Sequence, residues 1–437
     1  MKRGVNAIIM GAAGRDFHNF NIYFRENPLY NIVAFTAAQI PGVENRVYPP
    51  ELSGRAYPKG IPIYSEGMLK DLIIKYNVKA VFFSYSDVSY KELLSKAALV
   101  QSLGCDFILL SPASTMLKPT VKSISICGVR TGVGKSPVTR YVAFLLKKRG
   151  FKPVIIRHPM PYGDLASTIV QRFSSLKDLD YNKCSIEERE DIEPHIRAGF
   201  IVYAGVDYAK VLNSAEREGD FIIWDGGNND FPFYETDLNI VVVDALRPDH
   251  IVEYYPSEVN FRRANIIVIT KTDIAPKENV QRIYEYAKIL NPKAEVVEGV
   301  LAKSADPDIS LDGKRVLVIE DGPSVTHGGL SHGAAYAYSI ERGGLVVDPR
   351  PFAKGVIKEI YNRYPHIGCV LPAIGYNESQ VKDFEESIRN LSFDVIVSAT
   401  PTDLKLILKE EHPIVNVKYE FAPSDSSRLE KLINEFF

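Results

Sequence analysis

Short apolar runs alternate with segments of helical periodicity along the whole chain. Short apolar runs bounded by Gly, Pro, Asn and Asp are typical of strands that are buried on both faces. In the segments between them, apolar positions recur with the spacing of a helix. The alternation predicts an α/β fold in which helices cover parallel sheets, without fixed-period repeats or low-complexity tracts.

The pattern divides the chain into three blocks. Residues 1–118 resemble a Rossmann-like domain, with predicted strands at Ala7–Met10, Ile32–Thr36, Ala80–Tyr85 and Phe107–Leu110. Residues 119–291 predict a second sheet, with strands at Val121–Ile126, Val154–Ile156, Phe221–Trp224 and Ile266–Ile269, and their segment Cys127–Ser136, CGVRTGVGKS, identifies this block as a P-loop NTPase domain. Spacing leaves open whether residues 292–437 form a separate C-terminal α/β domain or extend that sheet. Their candidate strands are Arg315–Glu320, Gly344–Val347, Val395–Ser398 and Ile414–Val417.

Composition and charge narrow the class of protein. The 437 residues carry a formal net charge of −2, with 24% charged residues, which gives no electrostatic case for a nucleic-acid partner. The four cysteines lie far apart, so neither a disulfide framework nor a cysteine zinc site is indicated. No apolar stretch has transmembrane length, and the first apolar run is too short for a signal peptide. We expect a cytoplasmic protein without a membrane partner, and abundant Tyr, Lys and Glu indicate a thermophile.

The segment from Cys127 to Ser136, CGVRTGVGKS, joins a predicted strand to the predicted helix Thr139–Lys148. A glycine-rich turn that ends in Gly-Lys-Ser and opens a helix can wrap a nucleoside polyphosphate, because its N–H groups and its Lys point at phosphate oxygens. We expect Lys135 to be catalytic and Ser136 to bind Mg²⁺. The predicted ATP- or GTP-binding residues of this loop are Thr131, Gly132, Val133, Gly134, Lys135 and Ser136.

The spacing also fits the variant x-Lys-Gly-Gly-x-Gly-Lys-Ser/Thr, with Arg130 in place of its first Lys. That variant resembles the dimerising (SIMIBI-type) P-loop proteins of the nitrogenase-iron-protein, division-regulator and dethiobiotin-synthetase kind. In several of them the extra cation reaches the partner's nucleotide. We therefore expect a homodimer with a catalytic Arg130 near the twofold axis, and a surface arginine is the alternative.

A carboxylate follows the apolar strand Phe221–Trp224. At the end of a buried strand beside a P-loop, Asp225 can hold Mg²⁺ directly or through water, and we expect a catalytic role for it; a turn-forming Asp-Gly is the alternative. The two glycines that follow let the backbone approach a γ-phosphate. Asn228 and Asn229, next in this turn, are candidate substrate ligands.

The strand Ile266–Ile269, taken as one strand after Asp225, leads into Thr-Lys-Thr-Asp. This tetrapeptide resembles the guanine signature of GTPases, in which a carboxylate binds the base and a Lys stem covers it. Asp273 and Lys271 are therefore the predicted base-binding residues, with the choice between ATP and GTP left open.

The strand after the P-loop helix ends in a basic pair. In dethiobiotin-synthetase-like proteins a basic residue before a proline at this place meets substrate and phosphates, which Arg157 and His158 resemble. Asp164, after the proline-rich turn, is a candidate Mg²⁺ or switch carboxylate. Ordinary turn roles are the alternative for His158 and Asp164.

The first block opens with a glycine turn from Gly11 to Asp16, GAAGRD. The third glycine of the dinucleotide fingerprint is missing, and no acidic residue follows Ile32–Thr36, so nicotinamide binding is disfavoured. A degenerate substrate or anion site formed by Gly11, Gly14, Arg15 and Asp16 is one interpretation, and a purely structural turn is the other.

A second turn, Asp321 to Gly329, follows the strand Arg315–Glu320. Its Thr326 and His327 are candidate substrate donors, and a metal site is the less favoured reading because no carboxylate partner is obvious. His195 and Arg350 are further candidates, and we expect surface roles for both.

Five segments together resemble one family: MGAAGRDFHNFN from Met10, RHPMPYGD from Arg157, VYAGVDY from Val202, WDGGNND from Trp224 and EDGPSVTHGG from Glu320. It is the group of archaeal and bacterial predicted GTPases labelled cyclic 2,3-diphosphoglycerate synthetase-related, and the resemblance covers essentially the whole chain. The resemblance implies nucleotide roles for Arg130, Gly132, Gly134, Lys135, Ser136, Asp225 and Asp273.

The resemblance implies an NTP-dependent ligase or cyclase that uses Mg²⁺. A γ-phosphoryl group would pass to a small phosphorylated acid, and a neighbouring group would then close a ring, giving cyclic 2,3-diphosphoglycerate. A regulatory GTPase that delivers a metal or cofactor is the rival hypothesis. A dinucleotide-dependent enzyme fused to an NTPase is a third.

Overall fold

The computed structural model describes residues 4–38, 46–158, 164–227, 229–326, 328–373, 378–400, 404 and 412–437. Two sheets organise these residues, one of six strands and one of thirteen, and a two-stranded ribbon lies beside them. All statements below concern this described part of the chain.

The N-terminal sheet has the strand order β3-β4-β2-β1-β5-β7, and its central strands are parallel. Its residues alternate between two apolar layers, so that helices pack on both faces. The strands are β1 Val5–Met10, β2 Tyr30–Ala37, β3 Val47–Tyr48, β4 Ile61–Ser65, β5 Ala80–Phe83 and β7 Asp106–Leu109; β6, Val88–Ser89, belongs to the ribbon. The helices of this part are α1 Arg15–Asn19, α2 Pro50–Ser53, α3 Leu69–Lys75 and α4 Tyr90–Ser102.

The large sheet begins with the strand order β10-β11-β9-β12-β8-β13-β15-β16, parallel except for β10 at its edge. Its strands are β8 Lys122–Gly128, β9 Pro153–Arg157, β10 Val170–Phe173, β11 Ile201–Gly205, β12 Phe221–Asp225, β13 Leu238–Asp244, β15 Ile266–Thr270 and β16 Glu295–Asp306; β14, Tyr254–Tyr255, pairs with β6. The helices are α5 Lys135–Lys148, α6 Leu176–Tyr181, α7 Ile186–Arg197, α8 Tyr208–Ala215, α9 His250–Glu253, α10 Ser257–Arg263 and α11 Lys277–Leu290.

The C-terminal block extends this sheet, because β16 pairs with β15 through residues 295–298 and with β21 through residues 299–306. From there the order continues β21-β20-β17-β18, with β19 also on β17. The strands are β17 Arg315–Asp321, β18 Leu345–Val346, β19 Leu371–Ala373, β20 Val395–Ser398 and β21 Ile414–Pro423. The helices are α12 Gly322–Val325, α13 Ala334–Glu341, α14 Gly355–Arg363, α15 Glu378–Ile388 and α16 Ser426–Glu435.

The predicted α/β class is confirmed, and the central strands are as apolar as their burial requires. Every residue of β9, β12 and β15 is buried, which explains why these segments read as continuous apolar runs rather than alternating ones. One expectation is wrong: Ile266–Thr270 is not the next strand after Asp225, since β13 intervenes in the sequence and lies between β8 and β15 in the sheet.

No helix in the described ranges is both long and apolar enough to cross a membrane.

Candidate active site

The glycine-rich turn connects the end of β8 to the first residue of α5. Gly132 and Gly134 have φ of +79° and +92°, a left-handed conformation that favours glycine, and Gly134 directly precedes the helix. At Gly128 a Cβ would lie 2.6 Å from Val133 Cγ2 and 2.9 Å from Lys135 Cδ. The glycines are therefore required by the turn itself and by the close packing of its two ends.

Residues from two neighbouring strand ends hold this turn in place. Lys271 Nζ donates to Gly132 O at 3.0 Å and to Asp244 Oδ2 at 2.7 Å, and Thr270 Oγ1 donates to Val133 O at 2.7 Å. Burial alone would raise the pKa of Asp244, but Lys271 and Arg247 hold it below the usual range. The Lys of the predicted base motif thus fixes the turn through its ammonium.

Lys135 lies at the N-terminus of α5 and is 8% exposed. Burial lowers the pKa of its ammonium, the nearby Arg157 guanidinium lowers it further, and the carboxylates of Asp225 and Asp191 oppose this. Within the described part of the chain no carboxylate lies within ion-pair distance of Lys135, and the half-buried Ser136 makes no side-chain hydrogen bond. A buried cation and a free hydroxyl at a helix N-terminus fit a Mg²⁺-bound polyphosphate.

Asp225, at the end of β12, is fully buried and engaged by its own chain. Thr139 Oγ1 donates to its Oδ1 at 3.0 Å, and His195 Nε2 and Arg157 Nη1 contact its Oδ2 at 2.9 and 3.2 Å. Burial alone would raise the pKa of this carboxyl, but Arg157, His195 and Lys135 hold it below the usual range. Its role as a Mg²⁺ anchor stays a prediction, and in this arrangement it orders the base of α5.

The expected surface role of His195 is wrong. Its side chain is completely buried between α7 and the central sheet, where it bonds Asp225, and burial lowers the pKa of its imidazole. The expectation for Arg350 agrees with the structure, since it is exposed and pairs with Asp348 at 2.8 Å.

The basic pair after β9 splits between two carboxylate networks. Arg157 donates to Gly226 O at 2.6 Å and pairs with Asp191 and Asp225. His158 Nε2 contacts Asp230 Oδ2 at 2.9 Å, and Gly227 leaves space for the imidazole, since a Cβ there would lie 2.5 Å from His158 Cγ. Both basic side chains line the cavity described below.

Arg130 is buried within its own chain and is 5% exposed. Its Nη1 donates to Asp87 Oδ1 at 3.0 Å, and its guanidinium carbon lies 3.8 Å from the centre of the Tyr254 ring. Thr131 Oγ1 donates to the other oxygen of Asp87 at 3.0 Å. These contacts join the N-terminal domain to the P-loop. A role for Arg130 across a dimer interface stays a prediction, and the homodimer with it.

One cavity of about 1320 Å³ is lined by the N-terminal domain, the P-loop region and the C-terminal block. The ends of β1, β2 and β5 reach it from one side, and β17, β21 and α13 from the other. The predicted site residues that line it are Gly14, Arg15, Asp16, Thr131, Gly132, Gly134, Lys135, Ser136, Arg157, His158, Lys271 and Asp273.

Other predicted residues lie outside the described lining of this cavity. Buried residues that are not part of the lining are Gly11, Arg130, Val133 and Asp225, whereas Asn228 and His327 lie outside the described residues. Asp164 is exposed and accepts from Ala166 N at 3.2 Å.

Two of the candidate substrate residues have structural contacts. Asn229 is buried and donates to Ser257 Oγ at 2.6 Å, and this hydroxyl donates in turn to Val129 O at 2.6 Å. Thr326 Oγ1 donates to Gly322 O at 2.8 Å within its own turn. Both therefore stabilise loops, and a substrate role for either stays a prediction.

The sequence reasoning missed several acidic residues of the site. Asp244 is the last residue of an apolar strand, a signal equal to the one that identified Asp225. Glu190 and Asp191 lie on α7, whose sequence IEEREDIEPHIR reads as a solvated helix. Asp87 is brought to the P-loop only by the docking of two domains, which no local pattern encodes. Within the described ranges, no group of three or more His, Cys, Asp and Glu side chains could hold a metal ion.

The chain is similar in sequence to proteins of known function. Residues 197–300 match the family model described as cyclic 2,3-diphosphoglycerate synthetase, P-loop domain. The chain is 49% identical over 436 residues to the arginine synthetase ArcE of Thermococcus kodakarensis, covering 100% of this chain and 97% of that one. It is 23% identical over 338 residues to the cyclic 2,3-diphosphoglycerate synthetase of Methanothermus fervidus, covering 70% and 72%.

Among solved structures, LpxK from Aquifex aeolicus in complex with ATP is similar, with a TM-score of 0.42 and 16% identity over 85% of this chain and 100% of that one. A likeness at this level identifies no substrate.

Proposed function

Because the chain belongs to the cyclic 2,3-diphosphoglycerate synthetase family, which includes the arginine synthetase, and is a nucleotide-dependent P-loop enzyme of the synthetase type, we propose that it forms arginine. The identity of 49% over the whole chain supports this choice above the more distant relatives. The charge balance of the cavity is the structural observation that carries it.

The described lining of the cavity contains 11 Asp and Glu residues and nine Lys and Arg residues. A cavity built for a nucleotide and a second polyanion would need a clear excess of cations. An amino acid such as arginine carries charges of both signs and suits a lining of mixed charge.

Most of these cations are already neutralised. Seven of the nine pair with carboxylates within the described residues: Arg15, Arg140, Arg157, Arg197, Lys271, Lys303 and Lys418. The two others are the exposed Arg363 and the buried Lys135. Lys135 is therefore the buried cation available to a nucleotide, and little positive charge is left for a second phosphorylated substrate.

The chemistry of arginine formation fits a P-loop synthetase. Arginine differs from the ureido amino acid L-citrulline by a terminal nitrogen in place of an oxygen, so the nucleophile is ammonia. The γ-phosphoryl group passes to the ureido oxygen, ammonia attacks the activated carbon, and the C–O bond breaks. The products are arginine, nucleoside diphosphate and phosphate, and the phosphate carries the former ureido oxygen. Holding both reactants in one cavity makes the second step effectively unimolecular.

The residues on the P-loop would share this work as follows. Lys135 stabilises the charge that develops on the transferred phosphoryl group. Ser136 would hold Mg²⁺, which neutralises phosphate charge when bound. Lys271 keeps the loop in shape, and Asp273, whose exposed carboxylate lines the cavity, would bind the base of ATP or GTP.

Synthesis of cyclic 2,3-diphosphoglycerate is the second candidate. The matched P-loop family model and the synthetases at lower identity favour it, as does the same nucleotide chemistry. It requires binding of a polyanion beside the nucleotide, which the paired cations of the cavity do not favour.

Substrate-dependent nucleotide turnover distinguishes these functions. Purified protein would be incubated with Mg²⁺ and either ATP or GTP, together with L-citrulline plus ammonium chloride, or with 2,3-diphosphoglycerate. We expect nucleoside diphosphate and arginine in equal amounts in the first mixture, detected by mass spectrometry. Turnover with 2,3-diphosphoglycerate alone would support the second candidate, and equal turnover without any acceptor would favour a regulatory GTPase.

A further inference from the structure

Asp16 is a buried carboxylate in the cavity wall that the proposed reaction does not yet use. It lies on the first turn of α1, six residues after the end of β1, and only 4% of it is exposed. In parallel α/β sheets, ligands bind at the carboxyl ends of the strands, where this turn lies. The residue lines the cavity together with Gly14, Ser84 and Tyr85.

The two oxygens of Asp16 differ in their contacts. Its Oδ1 accepts from the backbone N–H groups of Ala13 and Phe17, each at 2.7 Å. Its Oδ2 accepts from no other residue in the described part of the chain. Gly11 accommodates this second oxygen, since a Cβ there would lie 2.5 Å from it. A carboxylate this deeply buried costs free energy unless a cation or a donor contacts it.

Neighbouring charges do not supply that contact. Arg15 directs its guanidinium to Asp230, at 2.8 Å, and to Phe231 O. His158 bonds the other oxygen of Asp230. Burial lowers the pKa of His18 to about 3, so that this nearby imidazole is neutral. Burial also raises the pKa of the Asp16 carboxyl to about 7, and the charge of Asp230 adds to this effect.

We propose that Asp16 Oδ2 binds the α-ammonium group of the amino acid substrate. The inference rests on the proposed arginine-forming function and names the subsite that would orient its substrate. An ammonium group supplies both the positive charge and the N–H donors that the second oxygen lacks, and such charge-assisted hydrogen bonds are about twice as strong as neutral ones.

The place of Asp16 in the cavity assigns it the α-ammonium end rather than the reacting end. Asp16 lies on α1 of the N-terminal domain, whereas Lys135 is the first residue of α5 in the P-loop region, and both line the cavity. An extended amino acid would place its side-chain end at the P-loop and its α-ammonium at the N-terminal domain.

Glu320 shows why burial alone does not make such a site. It lines the same cavity, and burial raises the pKa of its carboxyl to about 7 as well. Its oxygens, however, accept from the N–H groups of Gly333, Ala335 and Tyr336 at the start of α13. Glu320 therefore caps a helix, whereas Asp16 keeps one oxygen for a ligand.

A ligand pair and an isosteric variant test the proposal. L-arginine and 5-guanidinopentanoate differ only in the α-ammonium group, and their dissociation constants would be measured by calorimetry with bound Mg²⁺ and ADP. In Asp16→Asn, the amide oxygen can still accept from the backbone N–H groups of Ala13 and Phe17. The NH₂ group then takes the place of Oδ2 and faces the ammonium group of the ligand. Glu92→Gln, on the exposed rim of the same cavity, is the control.

We expect wild type and Glu92→Gln to bind L-arginine roughly 10- to 100-fold more tightly than 5-guanidinopentanoate, and Asp16→Asn to lose this preference. Equal binding of the two ligands by the wild type overturns the proposal without reference to any variant. So does an Asp16→Asn variant that weakens both ligands equally, or neither, while its thermal shift with nucleotide is normal. A wild type that binds neither ligand contradicts the arginine-forming function, and the inference falls with it.

Discussion

At the scale of single residues, Lys135 differs from the other buried cations of the cavity because no carboxylate in the described ranges pairs with it. Arg15, Arg157 and Lys271 each form an ion pair with an aspartate, and these pairs hold strands and loops together. A buried ammonium without a partner is unfavourable unless an anion binds it, and burial accordingly lowers its pKa. Phosphate binding would restore the full charge.

Replacing Lys135 by Ala should therefore reduce turnover far more than it reduces stability. We expect kcat to fall by about 100-fold or more, equivalent to roughly 3 kcal/mol of transition-state stabilisation. Lys148→Ala, at the exposed C-terminal end of the same helix, is the control and should leave kcat within about twofold. Normal turnover of Lys135→Ala, measured as diphosphate release, would contradict this role.

Asp16 also predicts a pH dependence of stability. The pKa of its carboxyl is about 7 in the folded protein and ordinarily 3.8, so that as the pH rises the folded state keeps the proton longer than the unfolded state does. Its cost to folding is absent below the unfolded pKa, grows as pH rises through this interval, and is complete above the folded pKa.

The free energy of unfolding of Asp16→Asn relative to wild type tests this sign. Both proteins would be unfolded in urea without ligands. The free energy of unfolding of the variant minus that of wild type should increase by roughly 1–3 kcal/mol from pH 5 to pH 8. All other titrations are shared by the two proteins and cancel in the difference. A difference that does not change over this pH range would show that burial does not perturb this carboxyl.

At the scale of elements, the P-loop was readable because its chemistry is local. About ten residues encode the end of the strand, the glycines in a left-handed conformation and the start of the helix at Lys135. His195 was misread because α7 is mostly charged in sequence, and only the packing of α7 against Asp225 reveals its buried face. The strand β16 was missed because only three of its 12 residues are buried and its second half is rich in small residues. Patterns of burial read from sequence fail where tertiary packing decides the environment.

Gly128 at the end of β8 predicts how sensitive the loop is to added volume. A Cβ added at this position would press on the side chains of Val133 and Lys135, so Gly128→Ala should displace the lysine. We expect at least tenfold weaker nucleotide binding by calorimetry, with a loss of stability of about 1–3 kcal/mol. Gly67→Ala, where the nearest atom is 3.8 Å away, should bind nucleotide as wild type does. Unchanged affinity in Gly128→Ala would mean that this contact does not set the loop.

At the scale of the whole molecule, three parts of the chain enclose the cavity. Arg247 joins two of these parts, since it donates to Thr131 O of the P-loop at 3.1 Å and to Gly328 O of the C-terminal block at 2.5 Å. Sequence indicated three blocks and the nucleotide loop, but not that their faces meet around one cavity. Docking of blocks depends on complementary surfaces such as Asp87 against Arg130, which have no local signature.

We expect the buried ion pair between Asp87 and Arg130 to stabilise the docking of the N-terminal domain on the P-loop region. Asp87→Ala leaves a buried guanidinium without its carboxylate, and loss of one partner of a buried pair costs about 3–5 kcal/mol. We expect the free energy of unfolding, measured in urea, to fall by this amount, since each of the two side chains is only 6% exposed. Asp71→Ala, exposed on α3, should stay within about 0.5 kcal/mol of wild type. A loss equally small in Asp87→Ala would show that other contacts join the domains.

The fate of the ureido oxygen tests the central claim most directly. L-citrulline labelled with ¹⁸O in its ureido group would be incubated with the enzyme, Mg²⁺, ATP and ammonium, and the released inorganic phosphate would be analysed by mass spectrometry. Phosphoryl activation of that oxygen predicts one ¹⁸O atom in each phosphate, together with one arginine. Unlabelled phosphate, or phosphate released without arginine, would contradict the account.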